Sequence, residues 1–310
     1  GNLHVPDAVA DVLDAIREKL PVKLSEAKMQ PPTPTIPPNQ SNTTVITAKD
    51  MESHHDTTVQ QALQCVTGVT VNEMVPGISS YVKLNGDDRV LILVDGQSLA
   101  NAQGSGYGRG SVDLTSLPGV GAIDHIEVTK GSGSVRYGSG AVGGVINIVT
   151  KKGDRRESSL YAYTGSWGMH GYTLTHSGRA GATSWLVSGD LEQRAYYAFP
   201  HGANTDHSRG DIARKSLSLR LDQDLTDHTS LTVKAYHQDY HGHGSTYKAD
   251  PAGWYLTANK PIDRLINDYS VTYHFKKETA QPGFLRYFND YQRTYWSNHY
   301  FTRTQGLEWR

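Results

Sequence analysis

The chain has 310 residues with 31 glycines, 18 tyrosines, 5 phenylalanines and 1 cysteine, and its formal net charge is −1. This charge balance gives no reason to expect a nucleic acid as partner, and a lone cysteine excludes an internal disulfide framework or a multi-cysteine metal site. A composition rich in tyrosine and glycine fits antiparallel strands that meet a membrane interface, with a secreted or periplasmic β-protein as the alternative.

The first 41 residues differ in composition from the rest of the chain. Residues 6–20 predict an amphipathic helix, because apolar side chains recur at helical spacing on one face. Residues 29–40 contain five prolines and predict an extended, semi-rigid linker. We therefore separate an N-terminal region, 1–41, from the globular part.

Residues 42–153 predict a small α+β domain. Its predicted elements are a strand at 44–47, a helical turn at 49–54, a helix at 60–66, strands at 69–71, 80–84 and 89–94, and a helical or turn segment at 113–118. We expect Asp56 to cap the helix and the turn Asp95-Gly96 to end the strand at 89–94. Cys65 lies in the predicted helix and is expected to be a small buried apolar residue.

Two β-branched runs, 126–129 and 145–150, flank a glycine-rich span and predict two strands joined by a tightly folded turn region. Gly138, Gly140 and Gly143 match the G-x-G-x-x-G pattern of dinucleotide-binding loops. That pattern needs a helix after the loop. Here a β-branched run follows, so we reject nucleotide binding.

Residues 154–310 alternate between apolar and polar side chains in segments of about ten residues. In the clearest segment Leu217, Leu219 and Leu221 alternate with polar residues. Eight such segments occur, near 157–165, 169–178, 182–194, 212–224, 229–241, 265–277, 284–297 and 299–310. Tight turns alternate with long loops at 195–211 and 242–264. This pattern is typical of an outer-membrane barrel, whereas a soluble β-sandwich has shorter strands.

Four segments, in this order and spacing, resemble the TonB-dependent outer-membrane receptors: 43–51, 63–69, 89–96 and 126–153. The resemblance implies a mixed fold in the bacterial outer membrane, with a small α+β plug domain inside a transmembrane antiparallel β-barrel. The plug domain is expected at 42–153 and about eight barrel strands at 154–310.

Leu84-Asn85-Gly86 stands where the family usually has Ile-Arg-Gly. The arginine that the family often uses in a plug–barrel salt bridge is therefore missing. Arg89 and Arg136 are the candidates to replace it.

The resemblance also implies TonB as the energising partner, which binds an extended segment upstream of the plug domain. Our candidate for this TonB box is Val22, Lys23 and Leu24, just before the proline-rich linker. An extended segment can add a strand to the edge of a partner's sheet. An ordinary loop after the helix is the alternative.

Eight strands cannot enclose a plug domain of this size, which needs a barrel of about 22 strands, and open sheet edges are unstable in lipid. Either the chain is an N-terminal fragment or a second polypeptide supplies the remaining strands. Residues 304–310 stop at a strand end, which favours a split receptor.

The resemblance implies import of a large, scarce chelate rather than an enzymatic reaction, and the sequence shows no nucleophile–base constellation. The modest loops and the plug pattern are most similar to those of the cobalamin receptors, which implies cobalamin (vitamin B12), with haem or a ferric siderophore as alternatives. A receptor-like adhesin or signalling protein is the alternative of another class. Outer-membrane lipid and a small-molecule substrate are the further partners.

Substrate binding is expected in the outward loops of the plug domain and the barrel. The candidate residues are Ser105, Tyr107, Arg109, Tyr197, His201, His243, Tyr247 and Trp254. Loop histidines, His241 and His243 among them, could ligate haem iron.

No catalytic residue, metal ligand or cofactor is predicted, apart from structural calcium in the extracellular loops. The calcium candidates are Asp206, Asp211, Asp239 and Asp250. The motif His241-Gly242-His243 lacks the cysteine or carboxylate partners of a convincing zinc site.

Overall fold

The computed structural model describes residues 42–75, 77–99, 112–131, 141–197, 210–244, 247–250, 253–256, 260–276, 282–296 and 298–310. The predicted N-terminal helix, the linker, the TonB box candidate Val22–Leu24, Ser105, Tyr107, Arg109, Arg136, His201 and Asp206 lie outside these residues. Within the described part, no helix is long and apolar enough to cross a membrane.

The plug domain contains seven strands and two short helices among its described residues. They are β1 (Thr43–Thr47), α1 (Ala48–Ser53), α2 (Val59–Gln64), β2 (Val69–Val75), β3 (Ile78–Leu84), β4 (Val90–Val94), β5 (Gln97–Ser98), β6 (Ile123–Lys130) and β7 (Gly144–Thr150). A mixed sheet has the order β1-β6-β7-β4-β5, with β4 and β7 parallel, and β2 and β3 form a separate hairpin. Two 3₁₀ turns, Leu114–Ser116 and Val120–Ala122, precede β6.

Threonine side chains start both helices of the plug domain. The Thr47 hydroxyl accepts a hydrogen bond from the Asp50 amide, and the Asp50 carboxylate accepts one from the Thr47 amide, which is a capping box. Thr58 caps α2 by accepting from the Gln61 amide. The prediction that Asp56 caps this helix is therefore wrong.

Cys65 is exposed at the C-terminal end of α2. The prediction of a buried side chain is wrong because Cys65 lies four residues after the exposed Gln61, on the side of the helix opposite its buried residues Val59, Gln60, Ala62 and Leu63.

Strands β6 and β7 form the centre of the plug core. They pair antiparallel, as predicted, and Ile126, Val128, Ile146 and Ile148 are fully buried. Every residue of β7 is buried, because the strand lies between two others and both of its faces are covered. Strand β7 stands where a dinucleotide-binding fold needs a helix, which agrees with the rejection of nucleotide binding.

The predicted turn Asp95-Gly96 joins β4 to β5 as a two-residue hairpin loop. Both residues have positive φ, 48° for Asp95 and 76° for Gly96, which favours Asp and Gly at these positions. The turn holds the Asp95 side chain in a buried position.

The predicted strands of 154–310 are confirmed as one sheet of eight antiparallel strands. Its members are β8 (Glu157–Gly165), β9 (Met169–Ala180), β10 (Thr183–Arg194), β11 (Ile212–Thr226), β12 (Thr229–Gly244), β15 (Lys260–Phe275), β16 (Gly283–Trp296) and β17 (Asn298–Trp309). A hairpin of β13 (Tyr247–Asp250) and β14 (Gly253–Leu256), which was not predicted, lies in the connection between β12 and β15.

The two faces of this sheet differ in the way expected of a membrane barrel. The inner face, which contacts the plug domain, carries buried polar side chains such as Ser216, Ser218 and Arg220. The outer face exposes large apolar side chains, among them Leu160, Leu174, Leu191, Tyr287, Phe301 and Trp309. An apolar outer face and a polar inner face are the reverse of a soluble domain, so the β-sandwich alternative is excluded.

Strands β8 and β17 are the edges of the eight-stranded sheet, and no pairing joins them within the described residues. The sheet is therefore an open wall and not a closed cylinder.

Candidate functional site

Among the predicted substrate residues, Tyr197 and His243 have described side chains, and these two do not come together. Tyr197 stacks against Trp167, with ring centroids 4.5 Å apart, and lies near the Arg194 guanidinium. His243 instead contacts Asp211 on the outer face. Tyr247 is the first residue of β13 and Trp254 the second residue of β14. The substrate residues thus stay predictions.

The structure does assemble one buried polar site, the contact between the plug domain and the inner face of the sheet. Asp95 is its first centre. Its carboxylate accepts hydrogen bonds from the Thr150 amide (2.9 Å), the Thr150 hydroxyl (2.7 Å) and the Lys234 ammonium (2.8 Å). The Arg220 guanidinium lies 3.8 Å away. Burial opposes the ionisation of Asp95, but Lys234 and Arg220 outweigh it and hold its pKa well below the usual range.

Three strands of the sheet converge on the Asp95 turn. Lys234 belongs to β12, while Arg220 of β11 also donates to the Thr150 hydroxyl at 2.8 Å. Arg286 of β16 donates to the backbone carbonyl of Asp95 at 3.0 Å. Three cationic side chains therefore surround the carboxylate and the backbone carbonyl of Asp95, which is buried.

Asp113 is the second centre. Its Oδ1 accepts hydrogen bonds from the Ser80 amide (3.0 Å), the Thr115 amide (3.0 Å) and the Thr115 hydroxyl (2.8 Å). Its Oδ2 accepts from Arg264 of β15 at 2.6 Å. Arg264 also donates to the Thr115 hydroxyl at 2.6 Å. One buried aspartate therefore orders the plug loop and joins it to the sheet.

Further hydrogen bonds surround these two centres, some between neutral groups and one with a carboxylate as acceptor. They join Gln238 to the Thr115 carbonyl (2.9 Å), Tyr236 to the Leu117 carbonyl (3.0 Å), Tyr240 to the Gly77 carbonyl (2.8 Å) and Gln97 to the Asp290 carboxylate (3.0 Å). In each case one partner belongs to the plug domain and the other to the sheet.

The charges at this contact are arranged differently from the sequence-based expectation. Arg89 pairs with Asp87 in its own loop, and no ion pair joins it to the described strands of the sheet. The plug domain supplies the carboxylates of Asp95 and Asp113, and the sheet supplies the cations. The sequence did offer one signal for this contact, namely charged residues at inward positions of the barrel strands. A buried charge without a partner costs several kcal/mol, so such residues indicate partners of opposite charge.

A glycine allows the plug domain to approach the sheet closely. A Cβ atom at Gly121 would lie 2.5 Å from Thr173 Cγ2, 2.8 Å from Thr175 Oγ1 and 2.9 Å from Ser188 Oγ. We expect Gly121→Ala to destabilise the receptor by about 1–3 kcal/mol, because the contact becomes overpacked. Thermal unfolding in detergent measures this. The control is Gly189→Ala, where the nearest atom lies 3.9 Å away; equal losses in both variants would contradict the close contact.

His125 on β6 gives the plug domain a pH-dependent contribution to stability. Hydrogen bonds to Asp124 (2.7 Å) and Glu127 (3.4 Å) raise the pKa of His125 from 6.5 to about 9. A raised pKa stabilises the fold below the unfolded value, and this contribution is lost as pH rises through the folded value. We therefore expect the free energy of unfolding of wild type to fall, relative to His125→Gln, between about pH 6.5 and about pH 9. Denaturant titrations across this range measure it, and parallel profiles would contradict it.

The fold and this contact define an outer-membrane barrel protein whose wall faces an internal plug. Residues 38–145 match the family model of the TonB-dependent receptor plug domain. The chain is 31% identical over 208 residues to the iron-regulated outer membrane virulence protein of Vibrio cholerae, an alignment that covers 62% of this chain and 30% of that protein. Residues 38–145 are therefore a TonB-dependent receptor plug domain, and the chain is an outer-membrane protein.

Solved structures share the fold. The ferric yersiniabactin uptake receptor FyuA of Yersinia pestis aligns with a TM-score of 0.67 at 15% identity. The alignment covers 87% of this chain and 45% of the FyuA chain. The siderophore receptor PirA of Acinetobacter baumannii has a TM-score of 0.65 at 20% identity, with 87% and 44% covered. The chain spans 30% of the length of the curated relative and under half of these receptors.

Proposed function

We propose that the receptor containing this chain imports a ferric siderophore across the outer membrane, with energy supplied through TonB. The observation that carries the proposal is the buried contact between plug domain and wall. It is made of ion pairs and hydrogen bonds, which can break one by one and re-form when the plug domain moves.

The siderophore takes the place of cobalamin as the proposed cargo. The curated relative is described as iron-regulated, one solved structure above as a ferric yersiniabactin uptake receptor, and the other as a siderophore receptor. These similarities favour the siderophore alternative over the cobalamin expectation, and they give no support to haem.

The cargo is tested by uptake in cells that lack the gene and carry it on a plasmid. Cells are limited for iron and given radiolabelled iron with each of several siderophores, or limited for cobalamin and given labelled cobalamin. The proposal predicts restored uptake for at least one ferric siderophore and none for cobalamin. Restoration by cobalamin alone would contradict it.

TonB coupling is tested at the proposed TonB box. We expect Leu24→Pro to abolish uptake without weakening siderophore binding, since proline removes the amide that strand addition requires. Leu24→Ala keeps that amide and serves as control. Unchanged uptake in Leu24→Pro would show that the TonB box lies elsewhere.

We also propose that further barrel strands pair with the free edges of β8 and β17. Unpaired strand edges in lipid cost several kcal/mol for each unsatisfied group. Native mass spectrometry of the receptor purified from membranes measures the mass and number of its polypeptides, and so shows whether these strands belong to the same chain. One long polypeptide would exclude the split receptor, and two tightly bound chains would support it.

A further inference from the structure

A group of four metal-ligating side chains lies on the outer face of the sheet, apart from the contact with the plug domain. His241 and His243 occupy alternate positions of β12 and so point to the same side of the strand. Register places Asp263 of β15 directly opposite His241. Asp211 immediately precedes β11, whose first residue pairs with Gly242. Three neighbouring strands thus contribute to one cluster.

The distances within this cluster suit a single ion. The ligand atoms of Asp211, His241 and His243 all lie within 4.8 Å of one another. Asp211 Oδ2 is 3.0 Å from His243 Nδ1, and the Asp263 carboxylate contacts His241 Nδ1. The two imidazole rings meet edge to face, with centroids 5.1 Å apart.

One oxygen of the cluster has no partner. Asp211 Oδ1 is buried and makes no hydrogen bond among the described residues. A buried carboxylate oxygen without a partner is unfavourable, and such groups in folded proteins often mark a bound water or ion. A cation between Asp211 and the two histidines would satisfy this oxygen.

We propose that Asp211, His241 and His243 bind a divalent transition metal ion of the Zn²⁺ type. Two imidazole nitrogens and a carboxylate are a common ligand set for zinc, whereas calcium takes oxygen ligands. Asp263 is positioned to orient the His241 ring, as carboxylates do beside many metal-bound histidines. This replaces calcium as the ion expected at Asp211.

The sequence hides this site because its carboxylates lie far from the histidines along the chain. Asp211 is 32 residues from His243, and Asp263 is 22 residues from His241. Only the pairing of β11, β12 and β15 brings them together. The carboxylates that contact His241 and His243 are therefore recognised only in the folded sheet.

The ion would link three strands at the end of the sheet from which the two long connections extend. Asp211 ends the connection 195–211, and His243 is next to the last residue of β12. Tyr240, on the opposite face of β12, donates to the plug carbonyl of Gly77. The site consequently faces away from the plug domain, and it does not depend on the identity of the cargo.

The test is zinc binding by the whole purified receptor in detergent. Metal-free protein is dialysed against Zn²⁺ alone, and bound zinc is measured by elemental analysis. We expect the double variant His241→Gln/His243→Gln to bind one zinc fewer per chain than wild type. Asp263→Asn should weaken zinc binding about 10- to 100-fold. If the double variant fails to fold, Asp211→Asn, which keeps the side-chain shape, is the substitute.

Two controls separate this site from others. His237→Gln alters another histidine of β12, which bonds to Asn267, and should leave zinc binding unchanged. A second cluster of His54, Asp56 and Cys65 lies on the plug domain, so the measurements are repeated in a Cys65→Ser background. Equal zinc in wild type and the double variant would overturn the proposal. Absence of zinc from wild type, or its displacement by equimolar Ca²⁺, would do the same.

Discussion

Asp95→Asn is expected to destabilise the contact between plug domain and wall by about 3–5 kcal/mol, because removal of one partner leaves buried cations uncompensated. Lys234 and Arg220 both lose the carboxylate that they approach from the sheet. Asparagine tolerates the positive φ of this position, so the turn itself is conserved. The measurement is urea unfolding of the purified receptor, with protease sensitivity of the plug domain as a second readout.

The control for this prediction is Asp88→Asn, which removes an exposed carboxylate of the plug domain. Exposed substitutions of this kind change stability by about 0.5 kcal/mol or less. A second arm adds Lys234→Met to Asp95→Asn, which removes the uncompensated ammonium and should restore part of the loss. Similar stability of Asp95→Asn and Asp88→Asn would show that Asp95 does not hold the plug domain.

The second large effect is expected at Asp113. Asp113→Ala removes the acceptor for the Ser80 amide, the Thr115 amide and Arg264. The side chain of Arg264 is 4% exposed, so water cannot replace the lost partner. We expect a loss of about 3–5 kcal/mol. Hydrogen exchange measured by mass spectrometry should show faster exchange of peptides that contain Ser80 and Thr115.

A graded series makes this prediction specific. Asp113→Asn keeps an oxygen for the two amides and loses only the charge, so it should cost less than Asp113→Ala. Ser116→Ala removes a single hydrogen bond to the Asp113 carbonyl and should cost about 1 kcal/mol. An equal loss in all three variants would argue for a general disturbance of the 3₁₀ turn in place of the ion pair.

The strands of the wall could be predicted from the sequence because their signal is local. Alternation of Leu217, Leu219 and Leu221 with polar residues identifies β11 and its two faces without knowledge of any partner. The turn at Asp95-Gly96 is equally local, since its residue types specify its backbone angles.

The contact between plug domain and wall could not be predicted, because its partners are distant along the chain. Lys234 and Asp95 are separated by 139 residues, and Arg264 and Asp113 by 151. A shift of one residue in β12 would point Lys234 outward. Register and the position of the plug domain, which no local pattern encodes, decide which charges meet.

Cys65 shows a different limit. It lies four residues after the exposed Gln61 and therefore continues the exposed side of α2. The residue type alone does not define which side of a short helix faces the core.

The plug domain lies against the inner face of the eight-stranded sheet. Gln97 of the plug domain donates to the Asp290 carboxylate of β16, whereas Tyr291 is the next residue of that strand and points to the other face. The most direct measurement is cross-linking in native membranes by a short bifunctional thiol reagent, in a Cys65→Ser background. We expect rapid cross-linking of Gln97→Cys with Asp290→Cys and little with Tyr291→Cys. Equal cross-linking of both pairs, or of neither, would contradict the account.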